Sequence, residues 1–364
     1  MTLILLVILA ALIFTYINGF HDTANSIATV VATKVLTPRQ AVMLAAVTNL
    51  IGAFTGTAVA TTIASGLVDP QVATSEVLIC ALVAGIAWNL ITWWFGMPAS
   101  SSHSLIGGLC GACLAAAHNN WNVLVWSIPS PKHWWLGKGL LWKVIVPMIS
   151  SPICGLVFGF LLMGVLYFLL RNWRPVTVSK TFGKLQLFSS AYMGFSHGTN
   201  DAQKTMGIIA LALLTGTNSG LFEHLPGWLS FLRTAEPAPG QSLSIAAWIK
   251  VLCALTMCAG TAVGGWRIIK TLGHKMVRLH PVHGFAAETT GATVLVTAAY
   301  FGMPVSTTHA VTTSIMGVGC AKGLNQLRLE VVERIIWAWI MTLPASGGIA
   351  YLLVMAAQAA GWIP

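Results

Sequence analysis

FGMPASSSH at residues 95–103 and FGMPVSTTH at residues 301–309 are one polar phrase written twice, 206 positions apart at every letter. A second pair precedes them. GFHDTANS from Gly19 and GFSHGTNDAQK from Gly194 superpose on Asp22 and Asp201 at an offset of 179. The sequence around these phrases is apolar. Two copies, each with an Asp and a Pro–Ser/Thr–His turn, point to a duplicated membrane carrier with one site between its halves.

The 364 residues are 56% hydrophobic and only 8% charged, with a mean hydropathy of +0.79. A soluble domain carries about 25% charged residues, so too few charges are present to solvate a globular surface. The apolar runs have helical length, not the roughly ten-residue alternation of a membrane barrel. The expected fold is therefore an all-α polytopic membrane protein. Ten apolar segments read out: 1–33, 40–66, 76–96, 103–117, 140–170, 185–215, 243–266, 285–301, 305–320 and 335–362. The first has no basic n-region and reads as a span, not a cleaved signal. The first and sixth contain the Asp motifs, where Gly19, Gly194 and Gly198 permit unwound backbone, so broken helices are expected there. The fourth and ninth are short, and full spans and re-entrant hairpins both stay open for them.

The net charge of +10 does not indicate nucleic acid, because the basic residues sit in short connections between apolar segments. Lys34 and Arg39, then Arg171, Arg174, Lys180 and Lys184, then Arg267, Lys270, Lys275 and Arg278 mark one side as cytoplasmic. Asp69, Glu76, Glu223, Arg233 and Glu236 suit the outside. The loop with Lys132, Lys138 and Lys143 fits the rule worst, because the span count puts it outside. The chain divides into a first repeat with its connecting span (1–170), a basic cytoplasmic loop (171–184) and a second repeat (185–364) with an external loop at 216–242. Five spans precede the basic loop, so the second half enters the membrane inverted. Gly52 and Gly56 align with Gly260 and Gly264, and their GxxxG spacing reads as close helix packing. The seven cysteines lie in small-residue apolar sequence and read as packing. Tryptophans such as Trp121, Trp126, Trp134 and Trp135 read as an aromatic belt.

A carboxylate at membrane depth costs at least about 2.5–3.5 kcal/mol and normally has a partner or a task. Asp22 lies among His21, Thr23 and Asn25; Asp201 lies among Asn200, Gln203 and Lys204. Pro98 and Pro304 suit a first helical turn. The hydroxyls and free amides of Ser100, Ser101 and Ser102, and of Ser306, Thr307 and Thr308, would then meet a tetrahedral oxyanion at a helix N-terminus. His103 and His309 follow directly and are groups able to titrate near physiological pH. Lys204 is close enough on a helix to pair with Asp201. Glu288, in GFAAETTG, reads as a proton or cation group or as an interfacial residue.

The phrases NGFHDTAN, FSHGTNDAQK, FGMPASSSH, VHGFAAET and FGMPVSTTH resemble the inorganic phosphate transporter (PiT) family, and most of all its bacterial low-affinity branch. The resemblance covers roughly residues 14–320. It implies cation-coupled symport of inorganic phosphate by alternating access, in the bacterial cytoplasmic membrane, with no catalytic turnover and no resident cofactor. Asp22, Asn25, Asn200 and Asp201 match the family's paired Asn–Asp signatures. Ser100–Ser102 and Ser306–Thr308 match its phosphate-facing tips, and Glu288 matches its later acidic residue. Many sodium-coupled members have Asn where this chain has His21, and many have an acidic residue at Asn49 and Asn at Lys204. These departures resemble the proton-coupled members, which take phosphate with, or as, a neutral divalent-metal complex; Asp22 and Asp201 would then face the metal. A sulfate permease, sodium-coupled symport and an intramembrane hydrolase built on Ser100–Ser102 and His103 are the alternatives. A homo-oligomer stays open.

Overall fold

The computed structural model describes residues 1–130, 137–223, 226–234, 243–323 and 327–363. Lys132, Trp134, Trp135, Glu236 and parts of the 216–242 connection lie outside the described residues. The first half contains α1 (Thr2–Ala32), α2 (Pro38–Ala53), α3 (Ala58–Ser65), α4 (Ser75–Trp94), α5 (Ser101–Ala116) and α6 (Val146–Leu170), which continues a π-turn at Leu141–Ile145. The second contains α7 (Pro175–Asn218), α8 (Ala247–Val263), α9 (Trp266–Lys270), α10 (Pro281–Tyr300), α11 (Thr307–Lys322) and α12 (Leu329–Ala359). Among the described residues only two isolated bridges, Val68–Leu124 and Ile128–Lys138, represent β-structure.

Each of the ten apolar segments holds one helix or one bent pair. By length and apolarity alone, four helices qualify as spans (α1, α4, the 141–170 run and α12), and the bent pairs α2–α3 and α8–α9 raise this to six. The others fall short for physical reasons. α5 and α11 have 16 residues each, about 24 Å, against a hydrocarbon core of about 30 Å. α7 and α10 are long enough but too polar, because they carry the motifs and are buried within the molecule.

Three expectations are corrected. The basic segment 171–184 is not a loop throughout: α7 begins at Pro175, a favourable first-turn residue, and runs 44 residues. That is about 66 Å, about twice a hydrocarbon core of about 30 Å, and Lys180 and Lys184 lie on the helix itself. Nor are the Asp motifs unwound. α1 and α7 pass through Asp22 and Asp201 as continuous helices. Their glycines serve close packing instead: a Cβ on Gly19 would lie 2.7 Å from the Met257 carbonyl oxygen, and one on Gly198 2.2 Å from that of Asn49.

The breaks fall in the GxxxG pairs. Gly52 and Gly260 do pack tightly, against the carbonyls of Phe195 and Tyr16. Gly56 and Gly264 both adopt φ +77°, where a side chain is strained, and there the helix pairs bend by 66° and 57°. The spacing thus unites one packing glycine and one breaking glycine in each half.

α1 and α7 run antiparallel. Ile4 at the start of α1 meets Gly216 near the end of α7, and Thr33 just beyond α1 donates to Gln186 early in α7 at 2.8 Å. The halves also exchange partners: α5 packs on α12 and α11 on α6, while α2 packs on α7 and α8 on α1. The connections sort to two ends. At one, Asp69 bonds Val123, Thr215 bonds Pro70 and Thr61 bonds Leu243. At the other, Arg328 bonds Met276 and Tyr167 bonds His283; Lys34, Arg171, Arg174 and Arg278 belong to this second end.

Candidate substrate site

The two FGMP phrases form matching turns. Gly96 and Gly302 take φ +62° and +64°, the left-handed conformation that ends α4 and α10 and reverses the chain. The Ser100 hydroxyl then accepts from the His103 amide, and that of Ser306 from the His309 amide, each at 3.1 Å. Ser100 and Ser306 are therefore N-caps of α5 and α11, which leaves the first two amides of each helix without an intrahelical acceptor. The turns brace each other reciprocally. Ser102 Oγ donates to the Val305 carbonyl and Thr308 Oγ1 to the Ala99 carbonyl, both at 2.9 Å.

The next side chains face the carboxylates. Ser101 Oγ donates to Asp22 at 2.6 Å, and Thr307 Oγ1 approaches Asp201 at 3.5 Å. Asn25 Nδ2 donates to Thr308 at 3.0 Å and Thr307 at 3.3 Å. Lys204, at the position equivalent to Asn25, pairs with Asp201 at 2.6 Å and also donates to Ser102 Oγ. His21 Nδ1 lies 2.7 Å from Asp22 and its Nε2 3.2 Å from Thr92. All of these groups are buried, Lys204 and Asp22 at 1% exposure and Asp201 at 0%. With neutral histidines, the cluster holds two negative charges and one positive.

Several predicted residues lie elsewhere. Asn200 turns to the Met303 carbonyl at 3.4 Å and braces the second turn. His103 and His309 meet edge-on, with ring centroids 4.8 Å apart, and His309 also covers Trp339; neither bonds to a carboxylate. Glu288 forms a separate buried cluster, accepting from Thr29 and Ser189 at 2.5 Å and from Gln186 at 3.0 Å. Thr29 is seven residues along α1 from Asp22, about 10 Å.

Two further polar residues of the Asp phrases, Asn18 and His197, join the site. Asn18 donates to Asp201 at 3.4 Å. His197 Nε2 lies 3.4 Å from Asp201, without hydrogen-bond geometry, while its Nδ1 meets Asn49 at 2.9 Å. Asp22, His197 and Asp201 each offer an atom within 4.8 Å of the others, a spacing able to surround a cation. The 179-residue offset carried the signal, because it aligns Asn18 with His197 and His21 with Asn200. Buried Asn18 Oδ1, Asn25 Oδ1 and Asn200 Oδ1 have no protein partner among the described residues.

Chemically, this is a closely bonded buried cluster of hydroxyls, free helix-terminal amides, two carboxylates and one ammonium. Hydroxyls, amides and an ammonium are groups that recognise a small oxyanion, and carboxylates are groups that take up cations or protons. The family model described as "Phosphate transporter family" matches residues 18–350. A Bacillus subtilis (strain 168) protein described as "Probable low-affinity inorganic phosphate transporter" is 40% identical over 357 residues, covering 97% of both chains. A Rhizobium meliloti (strain 1021) protein of the same description is 40% identical over 352 residues, covering 96% of this chain and 95% of its own. A solved structure, "The sodium-dependent phosphate transporter", superposes with a TM-score of 0.79 over 99% of this chain and 100% of its own, at 22% identity. These relatives are transporters, not enzymes, which sets the hydrolase alternative aside.

Proposed function

Because the chain belongs to the phosphate transporter family, we propose that it is a proton-driven symporter of inorganic phosphate that works by alternating access. The carrying observation is Lys204, whose ammonium bonds Asp201 and Ser102 together. It supplies a fixed positive charge between the carboxylate and the anion-facing turn, where a sodium ion would otherwise be needed. Ser101, Ser102, Thr307 and Thr308, with the free amides of α5 and α11, hold the oxyanion. Asp22 and Asp201 are the coupling carboxylates. The charge balance favours coupling: a phosphate dianion would take the buried cluster from one net negative charge to three. Charge of that density away from water is prohibitive unless protons or a metal enter with it.

The spacing of Asp22, His197 and Asp201 supports carriage of phosphate with a divalent cation as cargo. The two halves act as inverted repeats, and each FGMP turn faces one end of the molecule. The end rich in Lys and Arg is the cytoplasmic one on this reading, and a bacterial inner membrane is the proposed location, in keeping with the bacterial relatives. Glu288, outside the central cluster, is assigned a secondary role in coupling.

Uptake of labelled phosphate into proteoliposomes tests this reading. An inward proton gradient should drive uptake without sodium, and a protonophore should collapse it. Uptake that demands sodium and ignores the proton gradient refutes the coupling. Wild-type uptake of sulfate in preference to phosphate refutes the substrate.

A further inference from the structure

One loop defies the charge rule that sorts the others. Lys138 and Lys143 lie at the end of the molecule away from the basic cluster, beside the segment where Lys138 bridges Ile128. The structure gives them a common address. They line an open cavity of about 650 Å³ with the hydroxyls of Thr57, Thr61, Thr62 and Ser65. No carboxylate lines it among the described residues. Its floor is the second FGMP turn: Lys143 Nζ donates to the Phe301 carbonyl at 2.7 Å and Thr62 Oγ1 to the Gly302 carbonyl at 2.8 Å. Four residues beyond Gly302 the chain reaches Ser306, the cap before Thr307 and Thr308. The corresponding place at the first turn is small, a pocket of about 90 Å³ beside Gly96, Pro98 and Arg334.

We propose that this cavity is an outer anion-recruitment site, where inorganic phosphate docks before it passes the second turn into the buried cluster. The proposal rests on the phosphate-transport reading and adds a second binding place to it. Two ammonium groups in a concave mouth without carboxylates concentrate a small oxyanion. A low-dielectric wall focuses their field, and steering of this kind raises association rates by about tenfold or more. It also accounts for lysines on the side where positive-inside topology disfavours them. Lys143 is tied to the turn. Lys138 is exposed and supplies the cleaner test.

The experiment measures initial rates of labelled phosphate uptake by the full chain in outward-facing proteoliposomes. Wild type, Lys138→Gln, Lys138→Glu, Lys138→Arg and the double Lys138→Gln/Lys143→Gln are compared at low and near-physiological ionic strength. These conditions bracket Debye lengths of about 30 Å and 8 Å. KM should rise roughly threefold in Lys138→Gln and roughly tenfold in Lys138→Glu and the double variant. Lys138→Arg should stay near wild type, and the variants should lose most of the wild-type salt dependence. A transporting wild type whose KM and salt dependence are both unmoved by Lys138→Glu overturns the recruitment site alone. A wild type that takes up no phosphate overturns the parent reading, and this one with it.

Discussion

Lys204→Asn should change both the stability of the protein and the cation it needs. The substitution gives the second half the residue that Asn25 supplies in the first. Lys204 is buried, pairs with Asp201 at 2.6 Å and donates to Ser102. Removing one partner of a buried ion pair costs about 3–5 kcal/mol, because the other charge is left uncompensated. Unlike the ammonium, the Asn carbonyl can ligate a cation. With Asp201, Ser102 and Thr307 it would surround the vacated place with oxygens.

Two measurements read this out. Thermal unfolding of purified protein should show Lys204→Asn clearly below wild type without sodium. A cation bound at about a hundred times its dissociation constant restores about 2.7 kcal/mol, so added sodium should recover most of the deficit in the variant and little in wild type. Lys204→Met is the control, equally destabilised but lacking the oxygen and not rescued. In proteoliposomes, Lys204→Asn should lose proton-driven uptake in sodium-free medium and regain it with sodium. A variant that matches wild type in sodium-free stability and uptake would show that the lysine does not stand in for a cation.

Asp22→Asn and Asp201→Asn should each abolish phosphate uptake while folded protein remains by size exclusion; near-normal uptake by both removes them from the site. Ser101→Ala with Thr307→Ala should weaken phosphate binding about tenfold or more, since a hydrogen bond to a charged group is worth about 1.5–3 kcal/mol; unchanged affinity by calorimetry would assign the anion to the backbone amides. Gly198→Ala should lower the melting temperature although Ala is the better helix former, because its Cβ would lie 2.2 Å from the Asn49 carbonyl; a rise would mean that α2 yields freely. Single cysteines at Ser179 and Ser230 in a cysteine-free background should label with an impermeant reagent from opposite faces, and labelling of both from one face contradicts the inverted arrangement.

The chemistry was legible where sequence repetition reported it. The matched FGMP phrases became matched turns because the Gly, Pro and capping Ser act locally: each specifies its own dihedral or hydrogen bond without help from distant chain. The Asp motifs were found for the same reason, as charges that apolar surroundings make costly. What misled was glycine. A Gly beside a polar motif signals either unwound backbone or a close neighbour, and only the helix crossing at Met257 or Asn49 decides between them. Gly56 and Gly264 misled in the opposite direction, since GxxxG spacing does not say which glycine faces a helix and which takes a positive φ. The start of α7 was hidden because Lys180 and Lys184 mark the end of an apolar run, not the end of a helix.

The departures from symmetry bear on mechanism more than the symmetry does. A pair of identical inverted halves would bind the same ions from both ends. Here the positions equivalent to Lys204 and Asn200 carry Asn25 and His21, and the Glu288 cluster has no polar counterpart. At the two offsets, Glu288, Gln186, Ser189 and Thr29 correspond to Leu82, Val7, Ala10 and Ile208. The fixed ammonium and the extra carboxylate thus both belong to the second repeat, whose turn floors the large open cavity. On the proton-driven reading proposed above, Lys204 and Glu288 are then the two asymmetric groups whose joint action on coupling can be tested. Double-mutant cycles between Lys204 and Glu288 on proton-driven uptake test it: the central and peripheral groups should couple although they share no direct contact, and strictly additive effects would mean that the two act independently.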